Sequence, residues 1–184
     1  MLNDLDFDVT ARNAIVLLIF VAASSADEAA QHVIHLLYSA LITGDTYVFL
    51  QHKVKPLVED VLAKIVHKSA GALLAKTWTT PMDYSLRIEL PKDKWVELHR
   101  YLTVPDGLNK SAAQKVRCAV MLAPHRLDRS DRFLLLQLPE HRSSFAKFRS
   151  DGLLLPFGHP RAAFDTPNPY VLVRYGRFVV ASKG

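Results

Sequence analysis

Ten consecutive apolar residues, Ala14 to Ala23, constrain this chain more than any other feature of its sequence. A bilayer-spanning helix needs about twenty such residues, so the run is too short to cross a membrane. A secretory signal needs a positive leader, whereas here Asp4, Asp6 and Asp8 precede the run and only Arg12 opposes them. We therefore predict a helix, capped by Asp6 or Asp8 and buried in the core of an intracellular protein without membrane contact.

The composition is that of a globular domain. Of the 184 residues 49% are apolar and 22% are charged, which is enough to form a core without help from a metal or a disulfide. Cys118 is the only cysteine, which excludes an intrachain disulfide and fits a reducing compartment such as the cytoplasm. These observations exclude disordered, collagen-like and disulfide-rich classes of protein.

Local patterns predict a mostly helical chain with one to three short strands. The first helix is expected from about Val9 to Ala23. Ser25 and Glu28 have the spacing of a capping box, ahead of a second helix that runs to about Ile42. A third helical region begins near Thr46, and Pro56 fits the first turn of its second half, where its missing N–H costs nothing.

The second half of the chain carries weaker signals. Apolar and charged residues alternate over Ser85–Leu90, which predicts a half-buried strand, and Pro91 begins the next helix. Ser111 is predicted to cap a helix to about Leu122. Further helices are expected near residues 128–137 and after Pro139. A proline-rich loop follows them and is predicted to be ordered and docked, with anchors at Phe157 and Phe164.

Charge is distributed unevenly. Residues 1–60 hold three Lys or Arg against eight Asp or Glu, whereas residues 61–184 hold twenty against ten. A candidate basic surface lies in the second part, and its members are Lys115, Arg117, Arg126, Arg129, Arg132, Arg142 and Arg149. An ordinary solvated surface is the favoured interpretation of these charges, and as a binding surface they fit an acidic protein partner. Nucleic acid is the less favoured ligand, because no nucleic-acid motif accompanies the charges and nearby Phe145 and Phe148 are expected to pack inward.

Three stretches resemble one known family. The first is Asn3-Asp4-Leu5-Asp6 followed by Ala11-Arg12-Asn13, and the second is residues 119–124 with Arg126, Asp128, Asp131 and Arg132. The third and most specific stretch is residues 148–158, followed by Arg161, Phe164 and Pro167-Asn168-Pro169. Together they resemble a Rossmann-like domain of unknown function that occurs in fungal MYND-type zinc-finger proteins and at the front of dynein axonemal assembly factors.

The resemblance implies a single Rossmann-derived domain over residues 1–169, helix-rich and of the α/β family, with a divergent β-prone tail over residues 170–184. It implies a non-catalytic protein-interaction or assembly role without a cofactor. The family is also similar to methyltransferases that use S-adenosylmethionine, and this is the alternative function. Asp4 or Asp6 would then bind the ribose hydroxyls, although the glycine-rich turn that should precede them would lie before Met1. We therefore expect a truncated or divergent member, with self-association through the apolar run as one consequence.

Other reactive residues have simpler interpretations. His32 and His35 are three residues apart on a predicted helix, but no third ligand accompanies them, so no metal site is predicted. Cys118 lies within an apolar helical pattern and is expected to be buried. Ser143 and Ser144 beside His141 lack the strand-turn-helix context of a nucleophile elbow. Arg12 is expected to pair with one of the preceding aspartates.

Overall fold

The computed structural model of this chain describes residues 7–104, 106–114 and 160–169. The described residues are mostly helical, as the sequence predicts, with two small antiparallel sheets. These sheets contain four strands, more than the one to three expected. Two compact units are present: residues 7–33 with 44–104, and residues 34–43 with 106–114 and 160–169. The predicted helices near residues 128–137 and after Pro139, the anchor Phe157 and the tail 170–184 lie outside the described residues. The single domain over residues 1–169 stays a prediction.

The elements follow one another in this order. The helices are α1 (Phe7–Ala22), α2 (Ala26–Tyr38), α3 (Gly44–Phe49), a π-helical turn (Leu50–Val54), α4 (Lys55–Ile65), α5 (Lys92–Arg100) and a 3-10 turn (Arg161–Ala163). The strands are β1 (Leu41–Thr43), β2 (Leu73–Thr79), β3 (Ser85–Pro91) and β4 (Phe164–Pro167).

Helix α1 confirms that the apolar run forms a helix, but it begins at Phe7, so Asp8 lies inside it and is not its N-cap. Ile15, Leu18, Ile19 and Ala23 are 0% exposed, and the helix packs against the π-helical turn and β3. The whole run from Ala14 to Ala23 is buried or half-buried, and self-association through it stays a prediction.

The start of α2 contains half of the predicted capping box. The Glu28 amide donates to Ser25 Oγ at 3.2 Å, as expected of an N-cap serine. The Glu28 carboxylate does not accept from the Ser25 amide; it accepts from the Ser24 amide at 2.6 Å and from Ser24 Oγ at 2.8 Å. These two hydrogen bonds stabilise the ionised form and lower the pKa of Glu28.

The predicted end of α2 is wrong. The helix ends at Tyr38 and does not reach Ile42, because Leu41–Thr43 pairs as strand β1 with β4. Gly44 does not close α2 either: it begins α3.

Helices α3 and α4 and the turn between them form one continuous helical segment. The Lys55 amide donates to the carbonyl of Leu50, five residues earlier, as in a π-helix. Buried residues recur every four positions here, at Thr46, Leu50, Val54 and Val58. An α-helix has about 3.6 residues per turn, so the wider turn keeps these side chains on one face. Pro56 lies in the first turn of α4, as predicted.

Strands β2 and β3 form a hairpin in which Lys76 lies opposite Ile88 and Thr79 lies opposite Ser85. Strand β3 confirms the alternation prediction, since Ile88 and Leu90 are buried between exposed residues. Strand β2 was not predicted, although the β-prone sequence Thr77-Trp78-Thr79 ahead of Pro81 is a usable signal.

The loop of the hairpin is closed by Thr80. Its amide donates to the Tyr84 carbonyl at 2.8 Å, and its Oγ1 accepts from the Tyr84 amide at 3.0 Å. Asp83 has a φ of 64°, the left-handed conformation that the tight loop requires. Tyr84 itself is 72% exposed.

Helix α5 starts after Pro91, as predicted, and packs against α4 and β3. Trp95 and Leu98 are 0% exposed. The Trp95 indole N–H donates to the Leu74 carbonyl at 3.3 Å, and Gln51 Nε2 donates to the Leu102 carbonyl beyond the helix.

The second unit is built around β1 and β4. Leu41 lies opposite Pro167 and Thr43 opposite Phe164, with a register irregularity between Ile42 and Thr43. The predicted loop around Phe164 is therefore wrong in part, since residues 164–167 form a strand. The docking that we predicted for this anchor is confirmed, because Phe164 is 4% exposed.

Residues 110–114 of this unit are helical. The N-cap is Asn109 and not the predicted Ser111, because Asn109 Oδ1 accepts from the Ala112 amide at 2.9 Å.

Candidate interaction surface

The residues singled out for cofactor and basic-surface roles lie outside the described part of the structure. This applies to Asp4 and Asp6 and to the basic set Lys115, Arg117, Arg126, Arg129, Arg132, Arg142 and Arg149. Cys118, His141, Ser143 and Ser144 also lie outside it. Their roles stay predictions.

Arg12 bonds to its own neighbour on α1. Its Nε and Nη2 both donate to Asn13 Oδ1 at 3.3 Å. The guanidinium therefore helps to orient a side chain of the same helix. The predicted aspartate partners Asp4 and Asp6 lie outside the described residues.

His32 is a buried aromatic residue in the first unit. Its ring stacks on Phe49 with centroids 4.0 Å apart, and its Nδ1 lies 3.0 Å from Thr46 Oγ1. Burial disfavours the charged imidazolium, so the pKa of His32 is lowered, although the carboxylates of Glu28 and Asp45 act in the opposite direction. This arrangement fits a packing role.

His35 packs in the second unit. It is 2% exposed and meets the Phe164 ring edge-on at 4.9 Å between centroids. Among the described residues, no group of three or more His, Cys, Asp or Glu side chains is placed to hold a metal ion.

The surface that stands out in the first unit lies over α5. A shallow, open depression of about 350 Å³ lies beside this helix. Its lining residues are Ala70, Lys92, Asp93, Val96, Glu97 and Arg100. Four of them, from Asp93 to Arg100, follow the spacing of one helical face, three and four residues apart. Val96 is an aliphatic residue at the middle of this face and is 39% exposed.

Two of the charges at this surface are already engaged. The Lys92 ammonium donates to the carbonyls of Val66 at 2.6 Å and Lys68 at 2.7 Å, just after the end of α4. A cation is favourable there, because the last carbonyls of a helix carry partial negative charge. The Glu97 carboxylate accepts from Lys94 at 2.8 Å.

Asp93 and Arg100 are the charged side chains that the surface presents outward. Asp93 lies in the first turn of α5 and Arg100 in the last, and both are exposed. They are seven residues apart, so they lie about 10 Å from each other along the helix axis. The α5 surface (Asp93, Val96 and Arg100) is therefore apolar at its centre, with opposite charges at the two ends of the helix.

Chemically, this arrangement suits contact with a partner. The Asp93 carboxylate and the permanently protonated Arg100 guanidinium are about 10 Å apart along the helix, so they offer opposite charges to two separate groups. An aliphatic centre flanked by charges is the usual composition of a protein–protein contact. Sequence reasoning predicted that this helix begins at Pro91 and missed the surface. The usable signal is the spacing of Asp93, Val96 and Arg100, which places them on one face of this helix.

No helix in the described ranges is long and apolar enough to cross a membrane. No family model matches the chain, and the curated proteins and solved structures compared with it gave no match.

Proposed function

We propose that this chain is a non-catalytic protein-interaction domain of the cytoplasm that binds a partner protein through the α5 surface. The observation that carries the proposal is the exposed face of α5, with Val96 at its centre and Asp93 and Arg100 at its ends. A fitting partner offers an apolar side chain to Val96, a cation to Asp93 and an anion to Arg100.

The resemblance of the sequence supports the same class of function. It relates the chain to the domain that accompanies MYND-type zinc fingers and dynein assembly factors, and it makes a Rossmann-like origin part of the proposal. The basic residues between positions 115 and 149 add a preference for an acidic partner at the level of sequence.

The test compares Val96→Lys with Val48→Lys. Both substitutions place lysine at an exposed valine on a helix, and Val48 is 55% exposed on α3. Each full-length variant and the parent are used to retain proteins from an extract of the source cells, which are then quantified by mass spectrometry. We expect a partner that the parent and Val48→Lys retain and that Val96→Lys loses.

The retained partner is then purified and titrated into each variant by calorimetry. Binding that Val96→Lys weakens by roughly tenfold or more supports the proposal. Identical retention by the three proteins would exclude the α5 surface. Micromolar binding of S-adenosylmethionine by the parent would favour the methyltransferase alternative instead.

A further inference from the structure

The backbone groups of β2 that face outward are those of the residues that form no hydrogen-bonded pair with β3. The Thr80 amide bonds to the Tyr84 carbonyl, and the Lys92 amide bonds to the Ala72 carbonyl at 3.0 Å. Ala72 and Thr80 flank β2 in the same register, so the hydrogen-bonded pairs within the strand fall at Leu74, Lys76 and Trp78. Directly opposite residues in an antiparallel ladder alternate between bonded and non-bonded pairs. The N–H and C=O groups of Leu73, Ala75, Thr77 and Thr79 therefore point away from β3.

The position of Pro91 agrees with this pattern of hydrogen-bonded pairs. Proline has no N–H to donate, so it is tolerated in a strand only where that group would face outward. Pro91 lies opposite Leu73, at one of the positions that the ladder does not bond.

The outer edge of β3 is protected against pairing with another strand. Its outward positions include Arg87 and Glu89, which form an ion pair at 2.7 Å on the exposed face, and then Pro91. Charged side chains and proline are the usual devices that keep an edge strand from adding a further strand.

The outer edge of β2 has one of these devices, Lys76 at its middle, whose ammonium lies 3.5 Å from the Asp60 carboxylate of α4. The outward residues of β2 are Leu73, Ala75, Thr77 and Thr79, all uncharged and all exposed, with Leu73 at 61%. The register with β3 runs over seven residues without a bulge. Within the described ranges no hydrogen bond reaches the outward groups of these four residues. An edge with uncharged outward residues and no bulge is a template for a further strand.

We propose that β2 pairs with β2 of a second copy of this chain, antiparallel and about a two-fold axis. The result is a four-stranded sheet in which the two β2 strands are central and the two protected β3 strands form the edges. The edge is complementary to itself, because each outward residue offers one donor and one acceptor and no outward charge repels its equivalent.

Lys76 restricts the register of this pairing. An axis between Ala75 and Thr77 would bring the two Lys76 side chains directly opposite each other, where like charges are destabilising. An axis through Ala75 or through Thr77 separates them. One seven-residue edge is a small interface, so we expect a reversible dimer that depends on concentration. This inference does not depend on the α5 surface.

The test compares Ala75→Lys with Ser85→Lys by sedimentation velocity over a wide range of concentrations. Both substitutions add one exposed lysine to the hairpin, on the β2 edge and on the β3 edge respectively. We expect the parent and Ser85→Lys to form dimers and Ala75→Lys to associate at least roughly tenfold more weakly. Circular dichroism confirms that each variant is folded, and Thr77→Lys replaces Ala75→Lys if the latter is not.

A cross-linking experiment tests the geometry directly. Cys118 is the only cysteine, so Cys118→Ser gives a background without thiols. Bonded antiparallel pairs have Cα atoms about 5.5 Å apart, within the range of a disulfide. In this background we expect Ala75→Cys or Thr77→Cys to form a covalent dimer on oxidation and Ser85→Cys to remain monomeric.

Three results would overturn the proposal. They are a parent that stays monomeric at all concentrations, equal weakening by Ala75→Lys and Ser85→Lys, and species larger than the dimer, which would show that the β3 edge also pairs. None of them bears on partner binding by Val96, so this proposal and the proposed function fail separately.

Discussion

Asn168 donates a hydrogen bond of 2.7 Å from its side-chain amide to the carbonyl of Leu36, 132 residues earlier in the chain. The same Nδ2 donates to the Ser39 carbonyl at 2.7 Å, and the Asn168 backbone amide donates to Ala40 at 3.0 Å. The carbonyls at the end of a helix have no partners within it. Asn168, which is 1% exposed, therefore acts as a distant cap for the end of α2.

Replacement of Asn168 by alanine should lower the free energy of unfolding by about 1–3 kcal/mol, because buried carbonyls lose their donor. Asn168→Asp should cost more, since a carboxylate would face two carbonyl oxygens. Urea denaturation measures both. The control Asp165→Asn changes an exposed neighbour on β4 and should shift stability by less than about 0.5 kcal/mol. Equal effects of the three variants would contradict the capping role.

His32 should make stability depend on pH. Its pKa is below the ordinary value of 6.5 in the folded state because of burial, so the unfolded chain binds the proton more readily. The contribution of neutral His32 to the free energy of unfolding is complete above the pKa of the unfolded state. It is lost as the pH falls below about 6.5 towards the pKa of the folded state. We expect His32→Gln to give a flatter curve of unfolding free energy between about pH 7 and pH 5 than the parent.

The matched control for that experiment is His67→Gln, which removes an exposed imidazole of the same unit. Its unfolding free energy should depend on pH in the same way as that of the parent. If the unfolding free energy of His32→Gln and of the parent changed in parallel with pH, the burial of His32 would not be the source of the pH dependence.

Asp83 should tolerate glycine better than a β-branched residue. Its φ of 64° is unfavourable for L-residues, and a β-branched side chain there costs about 1–2 kcal/mol. Thermal melting should give Asp83→Gly a midpoint at or above that of the parent and Asp83→Val a lower one. Thr79→Val places the same side chain in regular strand geometry and should be close to neutral.

The two tryptophans should differ in access to solvent. Trp95 is 0% exposed, whereas Trp78 is half-buried with its ring centroid 6.4 Å from that of Trp95. Acrylamide should quench the emission of Trp95→Phe, which retains Trp78, more strongly than that of Trp78→Phe. The reverse order would contradict the packing of α5 on the hairpin.

Sequence reasoning succeeded where the determinants are local. The apolar run of α1, the Ser25 cap, Pro56 and the alternation in β3 each specify structure within a few residues of themselves. It failed where the partner is distant. Leu41–Thr43 continues a helical pattern, and only pairing with residues 164–167 makes it a strand.

The candidate surfaces were missed for a different reason. The sequence pattern of α5 marks the side that is buried, and the exposed side around Val96 is indicated only by the spacing of its three residues. The outward N–H and C=O groups of β2 belong to the backbone, so the types of residue in the sequence do not indicate where they point. Their direction follows from the ladder that Thr80 and Lys92 close.

The π-helical turn from Leu50 to Val54 has a consequence for how the chain tolerates changes in its length. This turn holds roughly one residue more than an α-helical turn. Elsewhere in a helix, loss of one residue rotates all that follows by about 100° and takes the buried face away from its neighbours. Here a deletion turns the wide turn into an ordinary one, and Val58, Val61 and Ile65 keep nearly the same direction. A single-residue deletion is therefore best accommodated between Leu50 and Val54, and a sequence that lacks one residue there is compatible with the same core.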